Sequence, residues 1–271
     1  MKRFIPYLLL LLSGASLTLA FAPFGIWPLV IPAFALGIRQ VIKLPHRPFL
    51  AGWVFGLGWF GSGISWVHVS IADFGGLPLI ASIGLMVLLC SYLALFPAVA
   101  FKLTARYFPH RLWPLALPFF WVFAEWLRSW LLSGFPWLSL GYSQIDSSLV
   151  GWAPIIGETG ITALLVIGAS LFAVSRTKRH STGAVLVSLA LYISGFIASQ
   201  HTWVAPKQQY NVAMAQGNIA QSLRWVPEQD APTMNRYLSL TEPLWDNDLI
   251  IWPEAAVPKL EPLALDYLTQ V

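Results

Sequence analysis

Charge is what this sequence has least of. Asp, Glu, Lys and Arg make up 10% of its 271 residues, against 57% hydrophobic residues, where a soluble globular domain carries about 25% charged side chains. That excludes a self-standing soluble globule over most of the length and implies a membrane protein of one or two domains. Cysteine is scarcer still. Cys90 stands alone, so no intrachain disulfide can form and the redox compartment is not readable from cysteine usage. No second His or Cys sits at metal-ligand spacing, so neither a metal centre nor a cofactor is expected. The net charge of +4 could hint at nucleic acid, but the placement of the basic residues excludes that reading.

What the sequence has in abundance is apolar runs. A bilayer span needs about 20 mostly apolar residues, and seven such stretches are expected near residues 4–21, 26–42, 49–71, 77–101, 112–132, 157–174 and 183–203. The first also resembles a secretory signal, with Lys2 and Arg3 ahead of a leucine run and a small-residue site near Ala20 and Ala22. A first span is the favoured reading because further spans follow at once. The second stretch, interrupted by Pro28 and Pro32, could pair with the first as a re-entrant hairpin. Fourteen tryptophans suit a protein with many membrane–water interfaces.

Basic residues cluster in alternate loops: Lys2 and Arg3; Arg39, Lys43 and Arg47; Lys102, Arg106 and Arg111; Arg176, Lys178 and Arg179. Positive residues stay in the cytoplasm. The N-terminus is therefore expected inside, and everything after about residue 204 outside, in the periplasm. Asp73, Glu125, Asp146 and Glu158 fall on or near that outer side.

The outer segment 133–159 is too apolar for a solvated loop and too broken by Gly and Pro for a helix. Irregular backbone at membrane depth must be buried in protein or line a cavity. Two readings stay open: one wall of a lipid-accessible pocket, or an interfacial loop anchored by Trp137, Tyr142 and Trp152. Glu125 and Arg128, three apart, share a helix face; they read as a functional pair or as a local ion pair. His68 in its apolar span reads as a hydrogen-bonded structural residue. Cys90, mid-span, reads as an inert buried thiol.

After Pro206 the texture changes. Residues 210–215 read as a strand, Gln216-Gly217-Asn218 as a turn, 230–247 as an amphipathic helix disturbed by Pro243, and 248–251 as a second strand closed by Trp252-Pro253. A further helix is expected over 263–271. Strand, helix, strand begins an α/β unit. Glu254 then stands just past the carboxyl end of its second strand, where open α/β sheets place their chemistry. About sixty residues cannot cover both faces of such a sheet, so residues 206–271 are expected to be the N-terminal part of a domain, behind a membrane domain of residues 1–205.

Four stretches resemble bacterial apolipoprotein N-acyltransferase: residues 62–71, 134–137 with 141–144, 216–225 and 250–258. The resemblance covers essentially the whole chain. Trp-Pro-Glu alone would indicate only the wider nitrilase superfamily. The resemblance implies a polytopic α-helical membrane domain followed by the start of an α/β nitrilase-like (αββα sandwich) domain, in the bacterial inner membrane. The family moves an acyl chain from a phospholipid to the N-terminal amine of a diacylglyceryl-cysteine lipoprotein. A Glu–Lys–Cys triad does this, through a Cys thioester. Glu254 matches the general base, Trp225 matches a tryptophan lining the active site, and Gln221, Trp137 and Tyr142 are assigned to substrate binding. The partners implied are a phospholipid donor, a diacylated lipoprotein acceptor and the membrane.

The family's Lys and Cys lie further along its sequence. Lys259 is too close to Glu254 to be that Lys, and Cys90 lies in the bilayer. These 271 residues are therefore expected to be a truncated member, inactive alone. Two other functions remain open on the residues: a membrane-anchored nitrilase-type amidase using the same Glu, and a catalytically dead lipid-binding or scaffold fragment.

Overall fold

A computed structural model describes residues 4–269. Lys2, Arg3 and the end of the last expected helix lie outside the described residues. The chain divides into two compact units, Met1–Trp203 and Val204–Val271.

The described residues of the first unit form helices joined by turns and loops. Its helices are α1 (Ile5–Leu17), α2 (Val30–Ile42), α3 (Pro48–Gly63), α4 (Val67–Asp73), α5 (Leu79–Leu93), α6 (Leu95–Tyr107), α7 (Trp113–Trp130), α8 (Ala153–Val174) and α9 (Lys178–Ser199). Among the described residues four stretches are long and apolar enough to cross a membrane: Leu79–Tyr107, His110–Ser133, Ser148–Val174 and Lys178–Ser199. The pair α3–α4 makes a fifth, bent by 56°, where hydropathy suggested one uninterrupted span. The bend has a local cause. Ser62 Oγ bonds the carbonyls of Gly58 and Trp59 at 2.8 and 3.1 Å, and His68 Nδ1 donates to the Ser65 carbonyl. Side chains thus take up polar groups at the junction of the two helices, a known source of helix bending. Two apolar helices are shorter, Ile5–Ala20 and Trp27–Ile42; the chain turns between them through residues 21–26.

Aromatic rings fill the centre of this bundle. Trp121 of α7 packs 4.6 Å from Phe34 of α2 and 5.8 Å from Trp59 of α3, the latter stacked. Such ring pairs add about 0.5–1.5 kcal/mol each beyond burial. Where lipid surrounds a bundle, close packing replaces the hydrophobic drive between helices. Accordingly α1 and α3 meet backbone to backbone: a Cβ on Gly58 would sit 2.1 Å from the Leu11 carbonyl oxygen.

The second unit pairs β1 (Val212–Met214) with β2 (Leu249–Ile251) in parallel, through α10 (Asp230–Thr241). A final helix, α11 (Glu261–Leu268), follows. Asp248 Oδ2 accepts from Asn211 N at 2.8 Å, which sets the register at the start of the ladder. Alternation along both strands leaves Val212, Met214, Leu249 and Ile251 exposed on one face, with Ala213 and Ile250 half-buried on the other. A small core gathers Ala215, Tyr237 and Ala256, with Trp252 against it. Trp252 Nε1 donates to Thr241 Oγ1 at 2.9 Å, and the Tyr267 hydroxyl donates to the Met234 carbonyl at 2.7 Å. Burial pushes the Tyr267 phenol above its ordinary pKa.

Gly217 lies under the Tyr237 ring, where an added Cβ would come within 2.5 Å of a ring carbon. Gly217→Ala is expected to force that buried ring aside and to destabilise the second unit by about 1–3 kcal/mol. Native-state hydrogen exchange of the Ala215 amide, bonded to the Ile251 carbonyl, would check it, and a change below about 0.5 kcal/mol would show that the ring gives way freely.

Candidate functional site

The residues singled out from the sequence fall into two groups, one in each unit.

In the helical unit the centre is Arg128, in the last turn of α7 and fully buried. Its guanidinium reaches forward along the chain. Nη1 donates to the carbonyls of Phe135 (2.8 Å) and Trp137 (2.5 Å), and Nη2 lies 3.4 Å from Ser139 Oγ. The Phe60 ring lies on its other side, 5.3 Å away. The Arg128 main-chain carbonyl accepts from Phe135 N at 2.8 Å, which closes the reversal. To make that reversal Leu132, Ser133, Gly134 and Leu138 all take positive φ, at 52, 75, 75 and 60°. Three of these are not glycine, and left-handed backbone costs such residues about 1–2 kcal/mol each. It persists only where surrounding contacts over-determine it, and the guanidinium fork supplies those contacts.

Two carboxylates hold the next few residues. Glu125 Oε1 accepts from Leu140 N and from Trp121 Nε1, both at 3.2 Å. Glu158 Oε1 accepts from Gly141 N at 3.2 Å and from Thr162 Oγ1 at 3.0 Å. Glu125 and Arg128 are therefore not a simple pair. Each bonds the loop instead, and no ion pair joins them among the described residues. Leu138 to Gly141 are buried, continuing into a short 3-10 turn at Leu140–Gln144, while Leu131 to Ser133 and Pro136 are exposed.

Trp137 and Tyr142 flank this buried strip and are themselves 53% and 59% exposed. Trp137 packs against Trp66, ring centroids 5.7 Å apart. The bend between α3 and α4 and the clamped loop thereby present one aromatic surface, which unites two of the sequence stretches noted above. His68 is occupied by its own turn, and Cys90 is buried in α5.

In the second unit the parallel strands deliver two turns to one edge. Met214 leads into Gly217, Asn218 and a 3-10 turn at Gln221–Leu223, while Ile251 leads into Trp252-Pro253-Glu254. Arg224 joins the two. Its Nη2 donates to the Glu254 main-chain carbonyl at 2.6 Å, and its Nη1 lies 3.5 Å from Gln221 Oε1. Arg236 Nε secures the first turn through the Gly217 carbonyl at 2.8 Å. Ala255 stands at φ 58°, so the chain reverses immediately after Glu254. The Glu254 side chain is exposed and makes no hydrogen bond among the described residues; Trp225, the next residue after Arg224, is 69% exposed. Gln221 and Glu254 are thus brought to one edge, with Trp225 next to the arginine that links them.

Sequence reasoning missed Arg224, although it is the one cation in the stretch 216–225. It also missed the loop-holding roles of Arg128 and Glu158. A clamp between a guanidinium and carbonyls seven and nine residues on has no periodic signature.

Comparison with known proteins covers most of the chain. A family model described as the apolipoprotein N-acyltransferase N-terminal domain matches residues 13–171. Proteins named apolipoprotein N-acyltransferase from Vibrio parahaemolyticus, Vibrio cholerae and Shewanella oneidensis are 41, 44 and 40% identical over 265, 254 and 269 residues. Those matches cover 95, 92 and 94% of this chain and 52, 50 and 50% of the relatives. The chain therefore spans about half the length of the curated relatives it matches.

Proposed function

This chain belongs to the apolipoprotein N-acyltransferase family, a membrane family in which a polytopic helical body precedes an α/β unit, and we propose that it serves the transfer of an acyl chain from a phospholipid to the N-terminal amine of a diacylated lipoprotein. The observation that carries this reading is the edge of the β1–β2 pair. There Glu254 follows a strand and precedes a left-handed turn at Ala255, its carboxylate exposed and making no hydrogen bond among the described residues, and its main chain held by Arg224, which also approaches Gln221. A general base needs a lone pair open to the proton it accepts, and the main-chain bond from Arg224 fixes the backbone from which this carboxylate projects.

In the proposed route Glu254 takes the proton of a thiol. The thiolate attacks the phospholipid ester carbonyl, and the acyl group moves to sulfur as the lysophospholipid leaves, its oxygen taking the proton back from Glu254. The lipoprotein amine then attacks the thioester and releases the thiol. This is a two-step covalent route. The aromatic surface of Trp66, Trp137 and Tyr142 over the clamped loop is proposed to meet lipid chains. The basic loops are proposed to face the cytoplasm and residues after about 204 the periplasm, in the bacterial inner membrane, as the alternation of Lys and Arg supports.

The one thiol among these 271 residues, Cys90, is buried in α5. The test is to incubate the native protein, purified from its own membrane, with phospholipid and a diacylated lipopeptide bearing a free amine. N-acylated lipopeptide and a hydroxylamine-labile acyl group on the enzyme are expected. Release of free fatty acid or ammonia without amine acylation would indicate an amidase-type hydrolase, and no turnover at all would favour a lipid-binding scaffold.

A further inference from the structure

At the opposite end of the helical unit from the clamped loop, α7, α8 and α9 part around a cavity of about 900 Å³. Its mouth carries Arg111 before α7, Arg176 between α8 and α9, and Arg179 in the first turn of α9. None of these guanidinium groups makes a hydrogen bond or ion pair among the described residues, and no Asp or Glu lines the cavity. His110 and His180 add ring N–H groups at the same level. The rest of the lining is largely apolar, with Ile42, Pro114, Leu171, Val174 and Val187. The first turn of the 22-residue α9 opens here, so its positive dipole end adds to the field.

Three exposed arginines in one rim, with no acidic side chain lining the cavity, set up a positive field that attracts an anion. A site for free phosphate would have no use for an apolar lining beside the rim. The combination matches one chemistry, a negative headgroup on a hydrocarbon tail. We propose that this cavity binds an anionic phospholipid from the leaflet at the basic end of the bundle, its phosphate between Arg111, Arg176 and Arg179 and its acyl chains against Leu171, Val174 and Val187. Basic pockets between membrane helices hold acidic lipids by this arrangement. The site is distinct from the acyl-donor surface proposed at Trp66, Trp137 and Tyr142, which flanks the α3–α4 bend and the loop after α7.

The test is native mass spectrometry of the intact protein released from nanodiscs containing phosphatidylglycerol and phosphatidylcholine in equal amounts. Retained phosphatidylglycerol is expected in at least tenfold excess. Each single change, Arg111→Gln, Arg176→Gln or Arg179→Gln, is expected to cut that excess about fivefold, while Arg106→Gln, outside the cavity, leaves it unchanged. Gly183 faces open space on the cavity wall, so Gly183→Phe is expected to displace the lipid while keeping every charge. Equal retention of the two lipids would overturn the proposal. So would equal effects of Arg106→Gln and Arg179→Gln, which would reduce the preference to general surface charge. Displacement of the lipid by millimolar inorganic phosphate, with Gly183→Phe silent, would make this an anion site without a lipid.

Discussion

Glu254→Gln in the native protein is expected to lower acyl transfer by about 10²–10⁴-fold, the usual contribution of a general base, while leaving thermal stability within about 0.5 kcal/mol. The separation of the two effects follows from the geometry. The Glu254 carboxylate is exposed and unbonded among the described residues, and its main-chain carbonyl, not its side chain, is the acceptor of Arg224. Gln keeps the shape and the Arg224 bond and removes only the proton acceptor. Rates of enzyme acylation and Tm should be measured on the same preparation. A rate within tenfold of wild type at unchanged Tm would remove Glu254 from the role of base. Arg224→Ala provides a contrast, since it leaves the carboxylate in place and releases both turns. It is expected to cost less in rate than Glu254→Gln and to lower stability.

Arg128→Met carries the second large effect, this one on the fold. The substitution keeps much of the side chain's length but removes the donors to Phe135, Trp137 and Ser139. Each carbonyl left unpaired in a shielded place costs about 1–3 kcal/mol, and the left-handed backbone at Leu132, Ser133 and Leu138 loses its support. A loss of about 2–5 kcal/mol follows, read in detergent as a Tm lowered by roughly 5–15 °C. Arg128→Lys should recover little, because a single ammonium does not reproduce the planar fork. Glu125→Gln should be mild, since its amide oxygen can still accept from Leu140 N and Trp121 Nε1. If Arg128→Met shifted Tm by less than about 2 °C, the loop would be holding itself and the clamp would be incidental.

The two changes separate what holds the molecule from what would do the chemistry. Arg128, Glu125 and Glu158 spend their charges on main-chain groups of one loop, and in doing so leave Trp137 and Tyr142 facing outward. Arg224 does the same for the two turns at the edge of the small sheet, leaving Glu254 and Trp225 free. In both units a buried or half-buried arginine is a positioning residue, and the groups proposed to meet substrate are the exposed ones beside it.

Scarcity of charge and long apolar runs were enough to determine a polytopic helical body. The change of texture after Pro206 was enough to determine the beginning of an α/β unit, down to the strand that ends before Trp252-Pro253-Glu254. These are local, additive properties: burial energy scales with apolar area, and a Pro after an Ile-rich run ends a ladder wherever it lies. Tertiary structure alone decided the 56° break between α3 and α4, the division of Glu125 and Arg128 between separate loop groups, the bridge from Arg224 to Glu254 and the basic rim of the cavity among α7, α8 and α9. Each depends on which donor meets which acceptor after the chain has reversed through positive φ or after separate helices have packed. A hydrogen bond weakens steeply with distance and angle, so the identity of its partner is set by fractions of an ångström that hydropathy and spacing do not encode.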